Sequence, residues 1–278
     1  MDILEQFDEH LRKQGKARNT IQNYVKHIEG YFRWYKETYG EECKVLYHVN
    51  ILDYRSYLQN ICKMKYSSID AKLSAISSFN DFLIEERIQT EKVIFQQDRL
   101  KVQMAFASPS DLEKQEVDAF LQTVLTRFGK RNYAIATLLA YGGLRISECL
   151  NVKLMDFSLQ AKELLVTGKG NKQRIVYLND KIIHALREYL KERSSISEYL
   201  FTSRTGGKLD RTRVNKIFNE CSEHITPHTL RHFYCTHALE TGYTIAAVAN
   251  QAGHSDVRTT MLYTNPSRKE MKEKANKL

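Results

Sequence analysis

Along most of this chain apolar residues return every three or four positions, and in one stretch they stop doing so. Ile21, Tyr24, Val25, Ile28, Tyr31, Phe32 and Tyr35 form the clearest stripe, the pattern of a helix with one face against a core. Leu52, Tyr57, Leu58 and Ile61 form a second, and Ile69, Leu73, Ile76, Phe79 and Leu83 a third; a shorter helix is expected around Phe7 and Leu11. Start signals suggest the boundaries: Asn19 or Thr20 as a cap for the first stripe, Asn50 with Asp53 for the second, and Ser67 with Asp70 as a capping box for the third. The exception is Glu163 to Leu178. Its runs ELLVT and RIVYL are rich in β-branched and aromatic residues and flank GKGNKQ, which reads as an antiparallel hairpin with glycines in the turn.

From about residue 90 to 110 the period fails, and the stretch ends in Ala107-Ser-Pro-Ser110. A linker is expected here, separating a helical domain at 1–95 from a second domain at 106–278; a chain of 278 residues suits two domains. In the second, Val117, Phe120, Leu121 and Val124 mark one helix, and Ile135, Leu138 and Leu139 mark another that stops at Gly142-Gly143. Further helices are expected over about 181–193, 210–221, 227–240, 244–252 and 256–263. The expected fold is an all-α four-helix unit followed by a mostly helical α+β domain around a small antiparallel sheet.

Lys and Arg number 42 against 33 Asp and Glu, a formal charge of +9, which suits a polyanionic partner such as nucleic acid or an anionic membrane surface. The longest apolar stretch, around Ala134 to Leu144, is too short to span a bilayer, and the opening MDILEQFDEH lacks the pattern of a signal peptide. Five cysteines, odd in number and without a C-x-x-C pair, argue against a disulfide framework or a zinc site and suit a reduced, cytoplasmic compartment. No Walker-type motif or acidic metal cluster is evident, so no cofactor and no metal is expected.

Four clusters can carry chemistry: Gly143-Leu-Arg145-Ile-Ser-Glu148, Gly168-Lys169-Gly170, Pro227-His228-Thr-Leu-Arg231-His232, and Gly253-His254-Ser255 followed by Tyr263. Taken singly, each has an ordinary reading: an ion-paired arginine, a solvated turn lysine, an exposed histidine, a core tyrosine. Their spacing says more. Thr226-Pro227 is a helix start, which places His228 in the first turn and Arg231 three residues on, on the same face. Ser255 can cap a helix in which Tyr263 lies about two turns along.

In this order, Arg145, Lys169, His228-x-x-Arg231, Gly253-His254 and Tyr263 resemble the tyrosine recombinase (phage integrase) family, in its compact Xer-like or resolvase form. The motifs are GLRISE, TGKGNKQR, TPHTLRHFYCTH and GHSDVRTTMLYT, and the likeness extends over nearly the whole chain. One departure is Ala252, where the family usually has a larger apolar residue. The resemblance implies site-specific DNA cleavage and rejoining through a 3′-phosphotyrosine on Tyr263. Arg145 and Arg231 would neutralise the phosphate oxygens, His228 would accept the phenol proton or hold the phosphate, and His254 would donate a hydrogen bond. Lys169 would protonate the leaving 5′ hydroxyl, and Glu148 would orient the cations. A type IB topoisomerase and a catalytically inactive DNA-binding regulator are the alternatives.

For DNA contact, Lys13, Lys16, Arg18, Asn19, Thr20 and Tyr24 gather near the start of the second helix, and Lys65, Ser67 and Lys72 (with Lys63 and Tyr66) near the start of the fourth. In the tail, Met271, Ala275 and Leu278 fall at helical spacing. By the resemblance, residues 268–278 would dock on a neighbour in a homotetramer holding two double-stranded DNA sites with inverted-repeat cores.

Overall fold

The strongest stripe becomes the helix Arg18–Tyr39, the longest described before residue 100. This computed structural model describes residues 2–100, 112–254, 258–261, 263 and 276, apart from the side chains of Lys169 and Arg258. It forms two compact units, Met1–Ala105 and Phe106–Leu278. In the first, α1 (Ile3–Lys13), α2 (Arg18–Tyr39), α3 (His48–Ser56) and α4 (Tyr66–Glu85) enclose an aromatic core. From α2, Ile21, Ile28, Tyr31, Trp34 and Tyr35 are buried, while Tyr24, Val25 and Phe32 pack at its margin. Phe7 meets Phe79 edge to face at 5.1 Å, and Tyr31 meets Tyr54 at the same distance, a geometry that suits ring quadrupoles.

The expected caps are not where these helices start. The residues that cap α2, α3 and α4 are Ala17, Tyr47 and Lys65, none with a side-chain cap bond. Asn19, Thr20, Asn50 and Ser67 lie inside the helices. A cap contributes about 1 kcal/mol, less than the burial of one large core side chain, so packing sets the boundaries. Asn50, for one, is buried. The end of α3 relaxes into a single π-helical turn, Tyr57–Ile61.

The residues expected to open the linker belong to the first unit as far as Leu100. Asn80 accepts from Val93 N at 2.8 Å and donates to Glu91 O, Ile94 is buried, and Asp98 accepts from Phe95 N at 2.7 Å. Ala107 to Ser110 lie outside the described residues.

The second unit begins with α5 (Lys114–Gly142), which the sequence reads as two helices; the break is Gly129, at φ 76° and ψ 178°. Then come α6 (Ile146–Asn151), strands β1 (Phe157–Ser158), β2 (Glu163–Thr167) and β3 (Gln173–Tyr177), and helices α7 (Asp180–Glu192), α8 (Arg211–Cys221), α9 (Pro227–Glu240), α10 (Ile245–Ala252) and α11 (Arg258–Met261). The sheet is antiparallel in the order β1-β2-β3, with Leu165 opposite Ile175. Alternation turns Leu164, Val166 and Val176 inward, where they join Leu138, Leu139, Ile182, Phe201, Phe218 and Leu230 in an aliphatic-rich core. The short β1 was not expected. A smaller cluster of Tyr234, Cys235, Ala238, Val248, Ala252 and Tyr263 lies apart from that core. Among the described residues no helix is long and apolar enough to cross a membrane.

Candidate active site

The site starts where α5 stops. Gly143 ends that helix at φ 66°, and a Cβ there would collide with the ring of Tyr234, so both the conformation and the space require glycine. The turn makes Arg145 the cap of α6, and Glu148, three residues on, folds back to accept from Arg145 N at 2.9 Å and Arg145 Nη1 at 3.0 Å. Arg174 of β3 adds two bonds to the same carboxylate, at 3.2 and 2.9 Å. Burial of Glu148, which is 5% exposed, opposes its ionisation, but the hydrogen bonds from Arg174 and Arg145 outweigh it and hold the carboxyl below its ordinary range.

The end of α10 gathers three arginines. Its last carbonyls take one guanidinium each: Gln251 O accepts from Arg174 Nε at 3.0 Å, Ala252 O from Arg231 Nη1 at 2.7 Å, and Gly253 O from Arg145 Nη1 at 3.0 Å. A helix C-terminus has unpaired carbonyls and partial negative charge, so cations are favoured there. Gly253 closes the helix at φ 70°, and a Cβ on it would come within 2.6 Å of the Arg174 guanidinium. The family departure at Ala252 therefore falls where the carbonyl makes the contact.

From α9 comes the rest. Thr226 caps it, accepting from Thr229 N at 3.1 Å, with Pro227 at the first helical position. Arg231, 5% exposed, also donates to Gly143 O at 2.6 Å. Its Nη2 is buried without a partner among the described residues. Burial and then the charge of Arg145 push Arg231 down to about 10, which leaves it cationic at neutral pH. His228 is exposed in the first turn, and its Nε2 lies 2.8 Å from Nε2 of His232.

Tyr263 sits in a turn beyond α11, not two turns inside a helix; Ser255 lies outside the described residues. Its N–H donates to Thr260 O at 3.0 Å, and its ring, 7% exposed, meets the His232 ring edge to face at 5.1 Å and the His254 ring nearly parallel at 6.1 Å. His254 Nδ1 is 2.7 Å from the buried Thr260 Oγ1. Burial pushes the phenol up to about 12, with Cys235 adding and Arg231 and Arg145 opposing. His254 and His232 are each pushed down to about 4, first by burial and then by neighbouring positive or imidazole groups; His228 is lowered by burial and by Arg231. At neutral pH the described part of the site holds a protonated phenol and neutral imidazoles beside Arg145, Arg174, Arg231 and the Glu148 carboxylate.

The structure thus brings together Arg145, Glu148, His228, Arg231, His254 and Tyr263. Lys169 opens a short 3-10 turn, Lys169–Asn171, between β2 and β3, and its side chain is outside the described atoms. Sequence reasoning gave no role to Arg174, His232 or Thr260. Arg174 had a signal: it stands in β3 on the same side as the buried Val176, and a charge at an inward position needs a partner.

The model of the phage integrase family matches residues 110–270, and that of the family's N-terminal SAM-like domain matches residues 3–90. This chain belongs to the phage integrase family of tyrosine recombinases. Among its relatives, the TnP I resolvase of Bacillus thuringiensis is 48% identical over 99% of both chains. The tyrosine recombinase XerD of Oceanobacillus iheyensis is 30% identical over 97% of this chain and 95% of its own. In fold the chain resembles the XerH site-specific recombinase bound to a palindromic difH substrate, with a TM-score of 0.76 at 20% identity over 98% of this chain and 84% of that one. It also resembles a lambda integrase dimer bound to a core site, at 0.71 and 16% over 92% and 95%.

In this recombinase the residues expected to grip DNA divide within the first unit. Lys16 and Tyr24 line a shallow cavity of about 540 Å³ with Ser74, Ser77 and Arg99. Lys13 instead borders a hollow with Glu9 and Glu86. Lys72 is lowered by burial and by Lys26, with Cys62 opposing, and His27 is lowered by burial, Lys72 and Lys26. Arg18, Asn19, Lys65 and Ser67 are exposed and Thr20 is half-buried.

Proposed function

We propose that this recombinase cuts and rejoins duplex DNA at specific sites through a 3′-phosphotyrosine on Tyr263. The observation that carries the reading is the convergence of Arg145, Arg231, His228, His254 and Tyr263 from four segments of the chain, with the Nη2 of Arg231 buried and without a partner among the described residues. A phosphate oxygen meets that need, since a buried unpaired donor is costly. Arg145, half-exposed, commits only Nη1 to side-chain and carbonyl acceptors among the described residues, leaving donors for a second oxygen.

In the reaction, Tyr263 Oη attacks phosphorus and the phenol proton passes to His228. The bond from phosphorus to O5′ breaks, and Lys169 supplies the proton with which the 5′ hydroxyl leaves. Rejoining is the reverse, with a 5′ hydroxyl attacking the phosphotyrosine, so the bond is conserved without an energy source. Thr260, by donating to Nδ1, fixes His254 with its proton on Nε2, where it offers a hydrogen bond to a phosphate oxygen. Glu148 and Arg174 hold Arg145 for this role. Preorganised donors of this kind lower a barrier by about 3–4 kcal/mol each.

The resolvase name of the relative at 48% identity supports resolution of joined DNA as the outcome, on double-stranded sites with inverted-repeat cores. A homotetramer on two sites, with residues 268–278 passed to a neighbouring copy, completes the reading; Met271, Ala275 and Leu278 lie outside the described residues. The N-terminal unit, 1–95 with its packed extension, would contact the duplex through Lys16, Arg18, Asn19, Thr20, Tyr24, Lys65, Ser67 and Lys72.

A nicked duplex carrying a site selected by this protein from a randomised library tests the nucleophile. The full chain is expected to form a covalent adduct, and Tyr263→Phe none. An equal adduct from the variant would reject the assignment.

A further inference from the structure

We propose that His232 is a positioning residue for strand cleavage, holding the His228 imidazole through the bond between their Nε2 atoms so that His228 can receive the phenol proton of Tyr263. The cleavage role rests on the recombinase reading above; the pairing itself does not.

His228 and His232 stand one turn apart on α9, with ring centres 4.1 Å apart at 74° and Nε2 atoms at 2.8 Å. Two imidazole nitrogens at that distance share one proton, so one ring donates and the other accepts. The two rings differ in setting. His228 is exposed at the start of α9, whereas His232 is half-buried and lies edge to face on Tyr263 at 5.1 Å. Arg231 and His228 face His232 from its own helix, His254 from the end of α10 and Tyr263 from beyond α11, with Cys235 beside Tyr263 and Arg145 and Arg174 near His254. Positive groups around an inner ring keep it neutral. The outer ring is then the one that takes a second proton, and when it does its Nε2–H donates to the neutral Nε2 of His232. That acceptor favours charged His228, which is the state formed when the phenol gives up its proton. The same bond holds the His228 ring in one fixed orientation against His232, whose own ring lies on Tyr263, the role that a second partner plays for many catalytic histidines.

Removing the acceptor therefore lowers the proton affinity of His228. His232→Phe keeps a ring against Tyr263 but cannot accept; His232→Gln offers an amide oxygen at similar reach. Titration of the full chain labelled with nitrogen-15 in histidine, without DNA, is expected to show the His228 midpoint falling by about one pH unit, tenfold in proton affinity, in His232→Phe, and returning most of the way in His232→Gln. Single-turnover cleavage of the nicked duplex above is expected to slow about tenfold or more in His232→Phe. Its loss of rate on acidification should move to lower pH with the midpoint, DNA affinity should be unchanged, and His232→Gln should recover much of the rate. Thermal melts confirm that each variant is folded. An unmoved His228 midpoint in folded His232→Phe overturns the proposal. So does a cleavage defect whose pH profile is unshifted and which Gln does not relieve. If the midpoint shifts but the wild-type chain forms no adduct, the recombinase reading fails and takes the cleavage role with it, leaving only the pairing.

Discussion

In the unit Met1–Ala105 the core is rich in rings and the one buried charge among the described residues is the Asp98 carboxylate, whereas Phe106–Leu278 packs mainly aliphatic side chains and buries charges of both signs, Glu148 and Arg231. Phe7, Tyr31, Trp34, Tyr35, Tyr54, Phe79 and Phe82 meet one another in the first. Its buried Asn80 and Asp98 bind the segment that follows α4. The second buries Glu148 and Arg231 at 5% exposure each, and the Nη2 of Arg231 has no partner among the described residues. A core of rings confers shape and rigidity. A core with paired ions adds little net stability, because desolvation offsets attraction, but it holds cations in one geometry for a substrate that arrives with the opposite charge. The contrast separates a scaffold that presents a surface from one that prepares a reaction.

The largest test of that contrast is Phe79→Ala. It should cost the first unit about 3–5 kcal/mol and leave the second almost unchanged; calorimetry should show only one of two transitions moving, and a joint shift would break the comparison. Arg231→Lys comes next. Lysine lacks the planar fork that spans Gly143 O, Ala252 O and a phosphate oxygen, so single-turnover cleavage should fall roughly 100-fold or more, about 3 kcal/mol, with DNA retention in a gel-shift assay little affected. Gly253→Ala should cost about 1–3 kcal/mol, from the positive φ and the displaced Arg174, seen as a lower melting temperature of the second unit.

The smallest effect is that of pH. His232 and His254 have folded values pushed down to about 4, so the unfolded chain takes up protons that the folded site refuses once pH falls below about 6.5. Stability is lost from there down to about pH 4, while the contribution of Glu148 goes only as pH falls through its own depressed value. The second unit should melt ~5 °C lower at pH 5 than at pH 7. The first, where His27 is lowered, should move less.

Elements whose signals are long were legible in the residues. The stripe of α2, the hairpin of β2 and β3, the stop at Gly143 and the start at Thr226-Pro227 all stand where the pattern puts them. Weak local signals failed where packing competed: Asn19 and Ser67 offered caps that helices beginning earlier did not use. A strand of two residues and a single π-helical turn have too few positions to show a period. In the site, the polar residues in their order could be named from sequence, but what holds them could not. Arg174 and His232 act on neighbours that are distant in sequence or reached only through ring geometry, and the carbonyls of α10 have no identity in a sequence at all.

Those three consecutive carbonyls have a consequence for how this protein can change. Because the arginines are held by main-chain oxygens, the inner side chains of α10 act by packing and positioning, Val248 and Ala252 beside Tyr263 and Gln251 on the backbone of Tyr177, and its outer ones have only to form a helix. Substitution at its exposed Ala246, Ala247 and Asn250 is free to drift toward new surface contacts while the cationic cradle persists. Lineages, or engineers, have in that helix a place to vary the enzyme without retraining its chemistry.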